Sequence, residues 1–435
     1  MYEMTKNKEL LRLAVPNILS NISVPLLSTV DTALMGRMSA LHIGAVGVGA
    51  MIFNFVYWNF GFLRMGTTGM TAQAFGKKND AEIIITLGRA LLVVLVLALL
   101  VLMFQYPIGE FSFYLMNATE DQYPLLRKYF YIRVWAAPAT LALYAFMGWF
   151  FGMQNAIYPM ILTIAINVVN IGLSFYLVAY WGMDVDGVAY GTLIAQYFGL
   201  FLAFFLFYYK YASLLEHYRS DVLLKMDELK QFLSINRDIF LRTFCLTFAF
   251  GFFYSQSAIY GETILAINVI LLQFLNWMSY GIDGFAFAAE SLVGKYIGAA
   301  DEKGTFKAIR LSFFWGLVLS LLFSLTYGLF GEELLYLFTD QVELIEMSQV
   351  YLFWMILFPV ISFSCYLWDG IFIGMVAAIT MRNAMVISLI LYLAVHMLLA
   401  PRLENHGIWL ALLIFMAIRG FIQAIYFKRD GLALK

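Results

Sequence analysis

The chain has 435 residues, of which 63% are apolar, 18% aromatic and only 13% charged. A soluble protein of this length carries about 25% charged residues to cover its domains, so the solvent for most of this chain is lipid. Lys plus Arg is 27 and Asp plus Glu is 28, a net charge of −1, which leaves no basic field for nucleic acid.

A transmembrane helix needs about 20 mostly apolar residues. In chain order such runs lie at about 10–36, 44–70, 84–106, 127–152, 158–180 and 187–209, then at 236–259, 263–292, 306–330, 347–375, 384–400 and 406–427. Backbone groups in lipid must be satisfied within the element, so twelve helices are predicted and the chain is all-α. The polar start, Met1 to Leu10, lacks the charged start, apolar stretch and small-residue exit of a cleavable signal; the first run is expected as a retained span. Cys245 and Cys365 fall inside apolar runs and support neither a disulfide framework nor a cysteine metal site.

The loops orient the spans. With both termini cytoplasmic, 20 of the 27 basic residues fall on the inner loops and adjacent helix ends, Arg89 and Arg242 among them. The outer loops carry five: Arg37, Arg127, Lys128, Arg133 and Arg402. This is the positive-inside pattern of a multi-pass plasma (inner) membrane protein.

The chain also repeats. At an offset of 222 (370 − 148), Gly148-Trp149-Phe150-Phe151-Gly152-Met153 falls on Gly370-Ile371-Phe372-Ile373-Gly374-Met375, and Gly76 falls on Gly298. Gly187-Val188-Ala189 meets Gly407-Ile408-Trp409 at an offset of 220 (407 − 187). An even number of helices per half gives both halves one orientation. The expectation is a pseudo-symmetric pair of six-helix bundles around a central cleft: a lobe over 1–210, a polar cytoplasmic linker over 211–235 and a lobe over 236–435. Such an architecture suits alternating access.

Leu13-Ala14-Val15-Pro16, leading to Val30-Asp31-Thr32-Ala33-Leu34-Met35-Gly36-Arg37, resembles the first helix of multidrug and toxic compound extrusion (MATE) transporters. Gly61 to Gly69 (GFLRMGTTG), Asn236 to Arg242 (NRDIFLR), Asp283 to Gly294 (DGFAFAAESLVG) and Trp368 to Gly374 (WDGIFIG) resemble that family's DNA-damage-inducible F branch. The resemblance spans nearly the whole chain. It implies cation-coupled efflux of small organic, cationic or amphipathic compounds by antiport with protons or sodium, without a cofactor or a metal, by a protein expected to be a monomer.

Six ionisable residues lie well inside the predicted spans: Asp31, Arg64, Asp283, Glu290, Asp369 and Arg419. Each costs about 2.5–3.5 kcal/mol at a span's centre on insertion scales, so each is expected to face protein or water. Asp31 has no basic neighbour in sequence except Arg37, and a carboxylate in low dielectric takes up a proton readily. By the resemblance, Asp31, Asn170 and Thr192 match positions of a cation site in related archaeal transporters. Ser174 stands where that pattern has a second carboxylate, which weakens a sodium site and favours protons. Pro16 and Pro25 lie in the same helix and can bend it.

The 222 offset puts Arg64 on Ala286, between Asp283 and Glu290 on one helical face. The three residues are expected either to form a gate that closes the inner side or to hold a static bridge. Asp369 and Arg419, on the tenth and twelfth spans at comparable depth, are expected to neutralise each other. Asp369 also matches an acid of a second cation site in another branch of the family. Phe53, Phe55, Tyr57, Trp58 and Tyr254 are candidates for an aromatic lining that would attract flat cations.

The four histidines, His42, His217, His396 and His406, lie mostly near loops and show no metal-ligand spacing. No phosphate-binding loop is present, so ATP is not expected as the energy source. Within transport, the alternatives are a flippase for lipid-linked oligosaccharide or polysaccharide and an organic-acid exporter. An intramembrane enzyme or a receptor would need a matched-depth catalytic pair or a large ligand domain, and neither is evident.

Overall fold

The computed structural model describes the backbone of residues 2–36, 39–116 and 118–431, with side chains for all of these except 2–5, 24–36, 40 and 430. The described residues form helices and no strand. In the first half these are α1 (Tyr2–Gly36), α2 (Ala40–Asn59), α3 (Phe62–Gly76), α4 (Asp80–Met103), α5 (Gln105–Leu115), α6 (Tyr123–Arg133), α7 (Ala137–Gly152), α8 (Ile157–Ala179), α9 (Val185–Tyr211) and α10 (Ser220–Leu223). In the second they are α11 (Met226–Ile259), α12 (Glu262–Gly298), α13 (Glu302–Leu335), α14 (Val342–Gln349), α15 (Leu352–Gly374) and α16 (Ala378–Asp430).

Nine helical segments among the described residues are long and apolar enough to cross a membrane. The remaining three predicted spans correspond to α1, α11 and one half of α16. Polar first turns precede the apolar parts of α1 and α11. The long α16 is two helices joined at Glu404, where φ is 51° and the chain turns sharply.

Two predicted runs are broken by local chemistry. The run over 44–70 splits into α2 and α3 at Phe60–Gly61, where the Gly61 N–H donates to the Trp58 carbonyl at 3.0 Å. The run over 127–152 is interrupted by a tight turn at Val134–Ala136, just before Pro138 in the first turn of α7. Proline has no N–H to continue a helix but fits a first turn, whose N–H groups need no partner.

The chain forms two compact units, one of residues 19–233 and the other of residues 1–18 with 234–435. The division departs from a simple halving at the N-terminus, because the first half of α1 packs with the second half of the chain. The Trp315 indole donates to Asn7 at 3.2 Å, the Tyr296 hydroxyl donates to Glu9 at 2.5 Å, and Lys295 pairs with Glu9. Gly284 of α12 makes room for this contact, since a β-carbon there would lie 2.3 Å from Ile18.

Within the stretch over 211–235, residues 212–217 and 220–223 form short helical turns, and α11 starts at Met226. Arg89 of α4, counted with the cytoplasmic loops and adjacent helix ends, is buried. It donates to the Val222 carbonyl at 2.8 Å and pairs with Glu228.

Backbone geometry repeats with the sequence. Lys78 and Ala300, Gln154 and Val376, and Gly182 and Glu404 all have left-handed φ values between 51° and 63°. Each pair is separated by the same offset of 222 as the sequence repeat (300 − 78, 376 − 154, 404 − 182). Close approaches repeat as well. A β-carbon on Gly148 would lie 2.3 Å from the Arg64 carbonyl oxygen, and one on Gly370 would lie 2.3 Å from that of Ala286. Each glycine therefore lets two helix backbones touch, α3 with α7 and α12 with α15.

Candidate functional site

In the first unit, α8 and α9 bring three predicted polar residues together. The Ser174 hydroxyl donates to Asn170 Oδ1 at 3.2 Å, Asn170 Nδ2 donates to Thr192 Oγ1 at 3.0 Å, and the Thr192 hydroxyl donates to the Val188 carbonyl at 3.1 Å. All three side chains are buried. Gly191 is required beside them, because a β-carbon would meet Ser174 Oγ at 2.4 Å. One turn earlier on α8, Asn167 Nδ2 donates to Ser23 of α1, at 3.0 Å to the hydroxyl and 3.2 Å to the carbonyl. Asp31 and Pro25 lie on α1, but their side chains are outside the described residues, as is Arg37. Pro16 is in the described part of α1, which stays helical through it.

Arg64 is half-buried on α3, with its guanidinium 5.9 Å from the centre of the Phe151 ring. Asp283 is half-buried and Glu290 fully buried on α12 of the other unit.

Asp369 of α15 lies in a buried cluster within its own unit. Arg419 donates to its Oδ2 at 2.6 Å, Gln423 donates to its Oδ1 at 2.7 Å, and Arg242 of α11 pairs with Oδ2 as well. The charge pattern along the chain assigns Arg242 to the cytoplasmic side, but it is buried like its partners. One turn earlier, buried Asp238 accepts from Arg382 at 2.6 Å. Asp238 and Arg242 share one helical face by their spacing of four, which marks that face as charged but does not name Asp369 as the partner of Arg242. Both carboxylate oxygens of Asp369 carry donors, and the two guanidiniums on Oδ2 supply its counter-charge within the unit.

The aromatic candidates divide. Phe55, Trp58 and Tyr254 are exposed. Phe53 and Tyr57 are buried. Phe53 stacks on Phe130 at 5.1 Å and has the Arg133 guanidinium 4.8 Å from its centre.

The MatE family model matches residues 16–176 and again 239–401. DNA damage-inducible protein F of Escherichia coli K12 is 36% identical over 428 residues, covering 98% of this chain and 93% of that protein. The chain belongs to the MATE family. The starts of the two matched stretches, 16 and 239, are in line with the internal repeat. NorM, a multidrug resistance protein of Vibrio cholerae, is 22% identical over 78% of the chain and 75% of its own length.

Solved MATE structures share the fold of twelve transmembrane helices. A Vibrio cholerae MATE transporter matches with a TM-score of 0.85 at 18% identity, covering 100% of this chain and 99% of that one. A MATE protein in a bent conformation matches with a TM-score of 0.87 at 18% identity, over 99% and 96% of the two chains. As a MATE protein the chain is a multi-pass secondary active transporter of small organic compounds; it is not an enzyme and needs no cofactor.

Proposed function

We propose that this transporter exports organic, cationic or amphipathic compounds by antiport with protons through alternating access. It would work in the plasma (inner) membrane, as a monomer with both termini cytoplasmic. The substrate class is supported by relatives named for multidrug resistance and by the exposed rings of Trp58 and Tyr254.

The observation that carries the coupling reading is the buried hydrogen-bond chain Ser174–Asn170–Thr192. By the family resemblance Asp31 is assigned as the titrating carboxylate that acts with this hydrogen-bond chain, and the Asn167–Ser23 contacts tie α1 to α8 two turns before it in sequence. A single carboxylate beside neutral oxygens takes a proton more readily than it holds sodium, which needs several hard oxygen ligands. Protonation of Asp31 removes a charge from α1, and Pro16 and Pro25 let that helix bend in response.

Arg64 with Asp283 and Glu290 forms the inner gate, paired in the outward-facing state and apart in the inward-facing one. Cysteines at 64 and at 283 or 290 should cross-link in one state and not the other. State-independent linking would make the group a static bridge.

The test of coupling is efflux of a cationic dye from proteoliposomes, with proton and sodium gradients imposed separately. A proton gradient should drive efflux by the wild type and fail with Asp31→Asn. Full proton-driven efflux by Asp31→Asn would remove Asp31 from the mechanism, and a sodium-only response would reverse the choice of ion.

A further inference from the structure

The left-handed turns at both ends of α8 recur at both ends of the first half of α16: Gln154 with Val376, and Gly182 with Glu404. The offset is the same at both ends (376 − 154 = 404 − 182), so the residues between them correspond one to one. Ser174 therefore corresponds to His396, and Asn170 to Tyr392. Both residues of the second unit are buried, His396 with 5% of its surface exposed and Tyr392 with none.

His396 Nε2 bonds Gln256 Oε1 of α11 at 3.1 Å. With an acceptor at that distance Nε2 carries the proton, and Nδ1 holds the lone pair. Among the described residues, neither Nδ1 of His396 nor the Tyr392 hydroxyl has a hydrogen-bond partner. Buried polar atoms without partners cost about 1–3 kcal/mol each, and two of them one turn apart on one helix face make a place where a ligand would be stabilised. The surroundings fit a very small one. The Phe252 ring meets the imidazole edge to face at 4.8 Å, and the Tyr392 ring lies 6.4 Å from it. Among the described residues Tyr392 is the titratable neighbour, and no carboxylate or cation acts on His396 from α11 or from its own helix.

We infer that His396, with Tyr392 beside it and Gln256 fixing its ring, is a proton-binding site of the second unit, equivalent in position to the Ser174–Asn170 pair of the first. Nδ1 accepts the proton and Nε2 keeps its bond to Gln256, so the imidazole becomes imidazolium with no other bond made or broken. An imidazole titrates in the range where a proton gradient operates, and an ionisable side chain inside the membrane marks an ion path by default. The second unit then contributes a coupling proton of its own, while Asp369 is held by its arginines. This inference rests on the proton-antiport reading above.

The chain has four histidines, so protein labelled with carbon-13 at histidine Cε1 gives few enough signals to assign by difference with His396→Gln. The His396 signal should shift between about pH 5 and 8. In proteoliposomes His396→Gln should retain efflux but flatten its pH profile, losing the change of up to ~tenfold per pH unit that one titrating group gives.

A His396 signal constant over that range would overturn the site; where His396→Gln fails to fold, the signal is assigned by elimination with His42→Gln, His217→Gln and His406→Gln. An unchanged pH profile in a folded His396→Gln would overturn its part in coupling. Failure of the wild type to respond to a proton gradient would remove the antiport reading while leaving the His396 titration visible, so the two failures are distinguishable.

Discussion

Replacing Asp369 by Asn tests how the second unit holds its charge. The carboxylate serves Arg242, Arg419 and Gln423, and all four side chains are buried. Asparagine keeps the volume and one acceptor but leaves two guanidiniums in a low-dielectric interior without their counter-charge. Breaking a buried pair from one side costs about 3–5 kcal/mol. For a cooperative unit of roughly 200 residues, that lowers the melting midpoint by about 6–20 °C. Arg242→Gln should cost less, about 1.5–3 kcal/mol for one charged hydrogen bond, because it leaves Asp369 and Arg419 as a balanced pair.

Cys365 provides the assay. It is fully buried in the same helix as Asp369, so in a Cys245→Ala background a thiol-reactive dye reports when this unit opens. The expected order of midpoints, highest first, is wild type, then Arg242→Gln, then Asp369→Asn. An Asp369→Asn protein melting at or above Arg242→Gln would refute the assignment of Asp369 as the charge-balancing centre.

Other substitutions follow from the same geometry. Asn170→Leu removes the donor to Thr192 and the acceptor for Ser174; it should cost about 1–3 kcal/mol and uncouple efflux from the proton gradient, read in the dye assay. Gly148→Ala and Gly370→Ala each drive a β-carbon to 2.3 Å from a backbone oxygen, so both should destabilise by about 1–3 kcal/mol or more in a thermal melt. Gly172→Ala, with open space at its β-position, should be neutral or stabilising. At Glu9, burial opposes the charge, but donation from Lys295 and Tyr296 and the charge of Lys6 hold the carboxyl below its ordinary range. A carboxyl lowered in the fold adds stability that is complete above the ordinary glutamate range, about pH 4.3, and is lost as pH falls through the lower folded value. The melting midpoint should therefore fall more steeply on acidification in the wild type than in Glu9→Gln.

The sequence by itself determined the lipid environment, the number of spans, the repeat and most of the ionisable residues inside the helices. Those properties follow from composition and spacing along the chain: too few charges for a soluble surface, about 20 apolar residues per crossing, and glycines recurring at a fixed offset. Tertiary structure decided which side chains meet. Arg242 looks like a helix-end cation because the polar turns of α11 precede it, yet packing against α15 brings its charge to Asp369. Phe53 and Tyr57 look like cleft aromatics, and only the position of α6 shows the Phe53 ring covered. His396 has no metal-ligand spacing to mark it in the sequence. Its interest depends on a free nitrogen inside a packed helix bundle, and helical periodicity says which face a residue shares but not what stands opposite it.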